Sequence, residues 1–132
     1  MKGKDLKQAK VLRIELDRER PMTFDFNAMC ELQELGYHDP QWAFRELQME
    51  NLTAMKSVLY ASLVAGQLTE DEDASLDLTV HKVGSILGKI MTSDKDHFTS
   101  IFSNLGEVIR DFFPSESEEQ NKEETDGNDS KN

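Results

Sequence analysis

The stretch from Lys10 to Gly36 leaves few options for how the chain begins to fold. Leu12, Ile14 and Leu16 alternate with Arg13, Glu15 and Asp17, the period-2 pattern of a strand with one buried face. Charge and a proline break the run from Arg18 to Pro21, which suits a short hairpin connection. Met22 and Phe24 then resume the alternation, so a second short strand lays both side chains on the same apolar face. Asp25 follows as an N-cap, its carboxylate accepting a free backbone N–H of a helix that starts at Phe26. That helix reads FNAMCELQEL and stops at Gly36, which takes the left-handed position after the last turn at little steric cost. A lone hairpin is marginal in water, so this one uses the helix as a lid.

The rest of the chain reads as helices. Asp39-Pro40 is a helix start, with a capping carboxylate and proline at the first helical position. The short helix that follows, Gln41 to Gln48, offers Trp42 as a core anchor together with Phe44 and Leu47. A third helix is expected from Asn51 to Ala65, ended by Gly66, with Leu52, Met55, Leu59 and Leu63 as one stripe. It is apolar nearly all round and therefore central, and Lys56, its one charge, lays its methylenes along the helix to bring the ammonium out. Thr79 caps a fourth helix, Val80 to Met91, on which Gly84 and Gly88 allow a neighbouring backbone to come close. Ser93 or Asp94 begins the last helix, with Phe98, Ile101, Phe102, Leu105, Ile109 and Phe112 at helical spacing. Pro114 marks its end.

These elements define a mainly α, α+β fold: an N-terminal two-stranded hairpin followed by a compact bundle of about five helices. A chain of 132 residues has room for one core. The expected organisation is a flexible leader over 1–9, a globular domain over 10–114 and a disordered acidic tail over 115–132. The tail, SESEEQNKEETDGNDSKN, has seven acidic residues, two lysines and no apolar side chain, so burial cannot offset its ordering entropy.

Charge and composition exclude several functions. A net charge of −11 opposes binding to nucleic acid, which needs clustered Lys and Arg, and opposes binding to anionic lipid. The longest uncharged run, Ser57 to Thr69, is 13 residues, short of the roughly 20 that cross a bilayer. No secretion leader is readable, and the lone Cys30 reads as a small buried hydrophobe in a reducing cytoplasm. His38, His81 and His97 lack partners at metal-ligand spacing. The acidic stretch Thr69 to Asp77 fails as a calcium loop, because counting from Asp71 the sixth position is Leu76 and the twelfth is Lys82. No glycine run fits a phosphate loop, and Glu31 and Glu34 share a polar helix face. The chain is therefore expected to be no enzyme, with no catalytic residues, cofactor or metal.

The segment LRIELDRERPMTFDFNAMCELQELG resembles the opening of the tail assembly chaperones of long-tailed bacteriophages and prophages. Phe24, Asp25, Phe26, Asn27 and Ala28 match that family's aromatic-Asp-hydrophobic-Asn-Ala motif, and Glu31, Glu34 and Gly36 match its glutamate-rich helix and closing glycine. MKSVLYASL, an acidic loop and LTVHKVGSIL are similar to the family's central helix and its Leu-Thr-x-x-x-Val-Gly segment. The likeness covers Val11 to Phe113 in order and spacing. It departs at the charged turn Arg18-Glu19-Arg20, which lacks the glycine often present there, and in the brief loop before the short helix.

The resemblance implies a non-enzymatic helper of tail morphogenesis that keeps the long tape measure protein soluble until tube subunits polymerise around it. It implies action in the cytoplasm of the bacterial host and absence from the mature virion. The tail tube protein is a second candidate partner, and homo-oligomerisation stays open. Two other classes compete: an acidic DNA mimic that inhibits a host nucleic-acid enzyme, which should carry its carboxylates in rows on a folded surface, and a minor virion structural subunit, which should remain in finished particles. For the client's seat, the last helix suggests a groove bordered by Val108 and Phe113 next to Phe112, since the edges of its apolar arc exceed what seating the helix requires.

Overall fold

Asp25, Asp39, Asn51, Thr79 and Asp94 each stand just before a helical run. Each side chain accepts a backbone N–H of the first turn, from Ala28, Gln41, Ala54, Lys82 and His97 respectively, at 3.0 to 3.1 Å. Satisfying one orphan donor per helix is worth about 1 kcal/mol each, and it sets where the helices begin. The structure, a computed structural model, describes residues 7–113. Over them run strands β1 (Val11–Glu15) and β2 (Glu19–Thr23) and helices α1 (Phe26–Glu34), α2 (Pro40–Gln48), α3 (Leu52–Glu70), α4 (Val80–Ser93) and α5 (Lys95–Phe112). This is the expected α+β class, an antiparallel hairpin followed by five helices. The acidic segment 115–132 and the start of the leader lie outside the described residues.

The hairpin turns earlier than its proline suggests. Leu16 N–H donates to the Arg18 carbonyl, and pairing already begins at Glu15 with Glu19. Arg20 and Pro21, expected in the connection, are strand residues opposite Ile14 and Arg13. From Arg20 to Thr23 every residue of β2 is buried, so this strand has no solvent face. The reason is α3, which lies against it.

That contact explains Gly66, expected to end the third helix. Instead α3 runs through it to Glu70, and a Cβ at Gly66 would sit 2.3 Å from the Pro21 carbonyl oxygen and 2.8 Å from Met22 N. The glycine lets helix backbone and strand backbone touch. Gly36 has the expected role: at φ 108° it follows α1, with Tyr37 N–H bonded to the Leu32 carbonyl and Gly36 N–H to that of Gln33, a Schellman ending. Helix α2 ends the same way, with Asn51 N–H on the Glu46 carbonyl and Glu50 N–H on that of Leu47. There the left-handed position, φ 60°, is held by Glu50.

The core is centred on Phe24, fully buried. Its ring lies 5.1 Å from Phe44 of α2, edge-on, and 5.6 and 6.3 Å from Phe112 and Phe113 at the end of α5. Around it pack Met22, Leu32, Leu59, Leu63, Ile101 and Leu105, all 0 % exposed. Three expectations of burial fail. Trp42 is 53 % exposed and stacks under the Arg45 guanidinium at 5.4 Å, because α2 seats Ala43 and Phe44 inward instead. Leu52, in the first turn of α3, is 72 % exposed, and Cys30 is exposed on the outer side of α1. The leader is not wholly frayed, since Lys7 Nζ bonds the Asp111 carboxylate at 3.0 Å.

Phe24→Ala should cost about 3–5 kcal/mol, against about 1 kcal/mol for Asp25→Ala, which loses only a cap; paired denaturant melts check the order. Gly66→Ala should cost more than about 2 kcal/mol, since the methyl meets backbone that cannot swing away. A melt unchanged by that methyl would show that β2 and α3 are not held this close.

Candidate functional site

Helices α3, α4 and α5 do not close completely over the core. Leu52 and Met55 on α3, Leu87 and Met91 on α4, and Phe98 and Phe102 on α5 line an open depression of about 230 Å3. A second of about 420 Å3 is bordered by Phe44 and Leu47 of α2 and Ile109 of α5. Met55, Phe98 and Phe102 border both, so the two depressions adjoin along these side chains and are together called the groove below. Phe98 and Phe102, four residues apart on α5 and hence on one face, pack ring to ring at 5.1 Å where the two depressions meet. Leu52 and Met91 stand at the edge, the latter 42 % exposed.

Two cations lie in this lining. A Cβ at Gly84 would fall 2.9 Å from Cδ of Lys56, so the lysine stem lies across α4 where a side chain is missing. The expected role of Gly84 and Gly88, close approach of a backbone, is not what is found: Gly84 meets a side chain, and nothing comes within 4 Å of a Cβ at Gly88. On α5, a Cβ at Gly106 would be 3.1 Å from Nη1 of Arg110, so this guanidinium too lies beside a glycine. Neither Lys56 nor Arg110 is within 4.0 Å of a carboxylate among the described residues. Glu50 is the carboxylate of the lining.

The residues picked out on the last helix are elsewhere. Val108 is 1 % exposed and part of the core. Phe113 sits 5.7 Å from Phe44 and 4.7 Å from Phe112, inside the cluster around Phe24. The C-terminal end of α5 folds its aromatics under the hairpin, so Val108 and Phe113 line neither depression, while Phe112 borders a separate opening with Asp25 and Asp111. What sequence reading missed is the groove upstream on the same helix. Its one local signal is that Phe98 and Phe102 stand four apart at the polar, N-terminal end of the helix, where seating needs less.

Two other side-chain groups stand apart from these depressions. His97 Nε2 donates to the Glu15 carbonyl at 2.7 Å, tying α5 to the hairpin. Glu31 shares a concavity with Tyr60, Glu72 and Asp73; burial and the neighbouring Glu34 raise its carboxyl above the usual range. Among the described residues no group of three His, Cys, Asp or Glu is placed to hold a metal, and no helix is long and apolar enough to cross a membrane. Compared with protein-family models, curated proteins and solved structures, the chain matches none.

One ionic cluster fixes the hairpin turn. The Arg20 guanidinium, 2 % exposed, donates to both Asp17 oxygens at 2.7 Å and to Asp77 at 2.7 Å, and Arg18 adds bonds to Asp77 at 3.1 and 3.2 Å. These bonds hold the Asp17 and Asp77 carboxyls down to about 2. Both are depressed from 3.8, so their contribution is complete above about pH 4 and is lost as the pH falls towards 2. Arg20→Met should lower stability at neutral pH, because Asp17 and Asp77 lose the donor they share. The difference between wild type and variant should shrink across that acid window in a series of urea melts. A constant difference would mean that the carboxylates do not feel Arg20.

Proposed function

We propose that this chain is a non-enzymatic assembly chaperone of the phage-tail type, which binds helical segments of the tape measure protein and keeps that protein soluble until the tube forms around it. The observation that carries the reading is the open apolar groove between α3, α4 and α5. It consists of two adjoining open depressions with aromatic and methionine side chains in their lining, the kind of surface that accepts the apolar stripe of an amphipathic helix. Methionine adapts to different stripes, which suits a long, mostly helical client. The resemblance over Val11 to Phe113 adds support of a different kind. Its motif residues Phe24, Asp25, Ala28 and Gly36 are a buried ring, a helix cap, a core alanine and a helix end, so the likeness concerns how the domain is built.

The test is co-expression with the long coiled-coil reading frame of the same tail gene cluster. With the chain present, that protein should move from the pellet into the soluble fraction and co-purify with it. Finished particles analysed by mass spectrometry should lack the chain. Its presence in particles at stoichiometric amounts would favour a structural subunit, and a client that is equally soluble without it would end the proposal.

A further inference from the structure

The groove has a charge character opposite to that of the molecule around it. The chain carries −11, yet the groove lining holds Lys56 and Arg110 against one carboxylate, Glu50. The acids next to Arg110 on α5 are already engaged, because Glu107 pairs with Lys10 and Asp111 with Lys7. Charge is thus sorted around the last turns of α5: carboxylates meet the leader, and the guanidinium is left to the groove. Lys56 passes over Gly84 and Arg110 beside Gly106; the absent Cβ atoms leave room for both side chains, Lys56 half-buried and Arg110 exposed. Lys56 lines one depression and Arg110 the other, with the shared Met55, Phe98 and Phe102 common to both.

From this we infer that the groove selects an amphipathic helix whose apolar stripe is flanked by carboxylates, with Lys56 receiving an acidic residue in one half of the groove and Arg110 in the other. The inference rests on the reading of the groove as the client's seat and adds the chemistry of the client's face. A charge pair at the half-buried Lys56 is partly shielded from water and is worth more than one in the open, and the two cations together would fix register along the groove. Lysine-rich helices are disfavoured there, although the overall charge alone would attract them.

Two fluorescein-labelled helical peptides of about 18 residues, roughly 27 Å long, test it. They carry the same leucine stripe, flanked in one by glutamates and in the other by lysines. Fluorescence anisotropy against the full chain should show the glutamate peptide binding at least about tenfold tighter, with the preference shrinking as salt is raised. Lys56→Glu combined with Arg110→Glu should abolish or invert the preference while leaving the denaturant midpoint in place; Lys56→Gln with Arg110→Gln serves if the charge reversal impairs folding. A tighter lysine peptide, no binding of either, or a preference indifferent to both double variants overturns the inference. So does self-association of the wild type that both double variants abolish, since the groove would then hold a second copy. The outcome is separable from that of the proposed function. A client solubilised equally by wild type and double variant removes the groove chemistry and leaves the chaperone reading. A clear peptide preference without client solubilisation does the reverse.

Discussion

The ring of Phe24 is the point at which three distant parts of the chain are held together. It stands at the end of the hairpin, one residue before the cap of α1, and touches Phe44 from α2 and Phe112 and Phe113 from the end of α5. None of these elements is stable alone. A two-stranded ribbon is marginal, α2 has nine residues, and short helices gain most of their stability from the face they bury. Edge-on aromatic packing adds about 0.5–1.5 kcal/mol per pair beyond the burial of area. The cluster therefore ties the beginning of the domain to its end, and the course of α5 follows from it. With its last turn drawn under the hairpin, its first turns are left over α3 and α4, where Phe98 and Phe102 stay half open.

Much of this was readable from local rules, and the failures share a cause. Caps such as Asp25 and Asp94, and the glycine at position 36, depend on atoms within a few residues, so their residue types announce them. Gly66 has the same residue type and a different role, because what matters there is the carbonyl of Pro21, far away in sequence. A glycine within an apolar helix either stops it or admits a neighbour, and only the partner strand decides. Trp42 failed in a similar way: its size argues for burial, but on a helix that seats Ala43 and Phe44 inward the next ring faces Arg45 and solvent. Phe113 looked surplus because its helix was seated without it, and it turned out to fill the space beside Phe24.

The groove was the least legible feature, since it is a gap and no single stretch encodes it. Its lining comes from four helices, and its cations are recognisable only once Lys56 is seen over Gly84 and Arg110 beside Gly106. On a net charge of −11 the natural reading is a uniformly acidic surface. The ion pairs of the hairpin and leader, Arg13 with Glu19 and Glu70, Arg20 with Asp17 and Asp77, Lys10 with Glu107, consume basic residues on that part of the molecule. The cations of the groove are outside this set.

The walls of the groove are joined by connections with almost no slack. Asn51 bonds back to the last turn of α2 and caps α3, and Asp94 closes α4 through its N–H while its carboxylate caps α5. A helix advances about 100° per residue, so one codon gained or lost at either elbow would turn a wall until its apolar stripe faced solvent. The segment between Asp71 and Leu78, by contrast, carries the chain from α3 to α4 with exposed residues over most of its length. Over evolutionary time, length variation in a lineage of such proteins should collect there and spare the two elbows, leaving the spacing of Phe44, Leu52, Met91 and Phe98 as the trace by which a distant relative could be recognised.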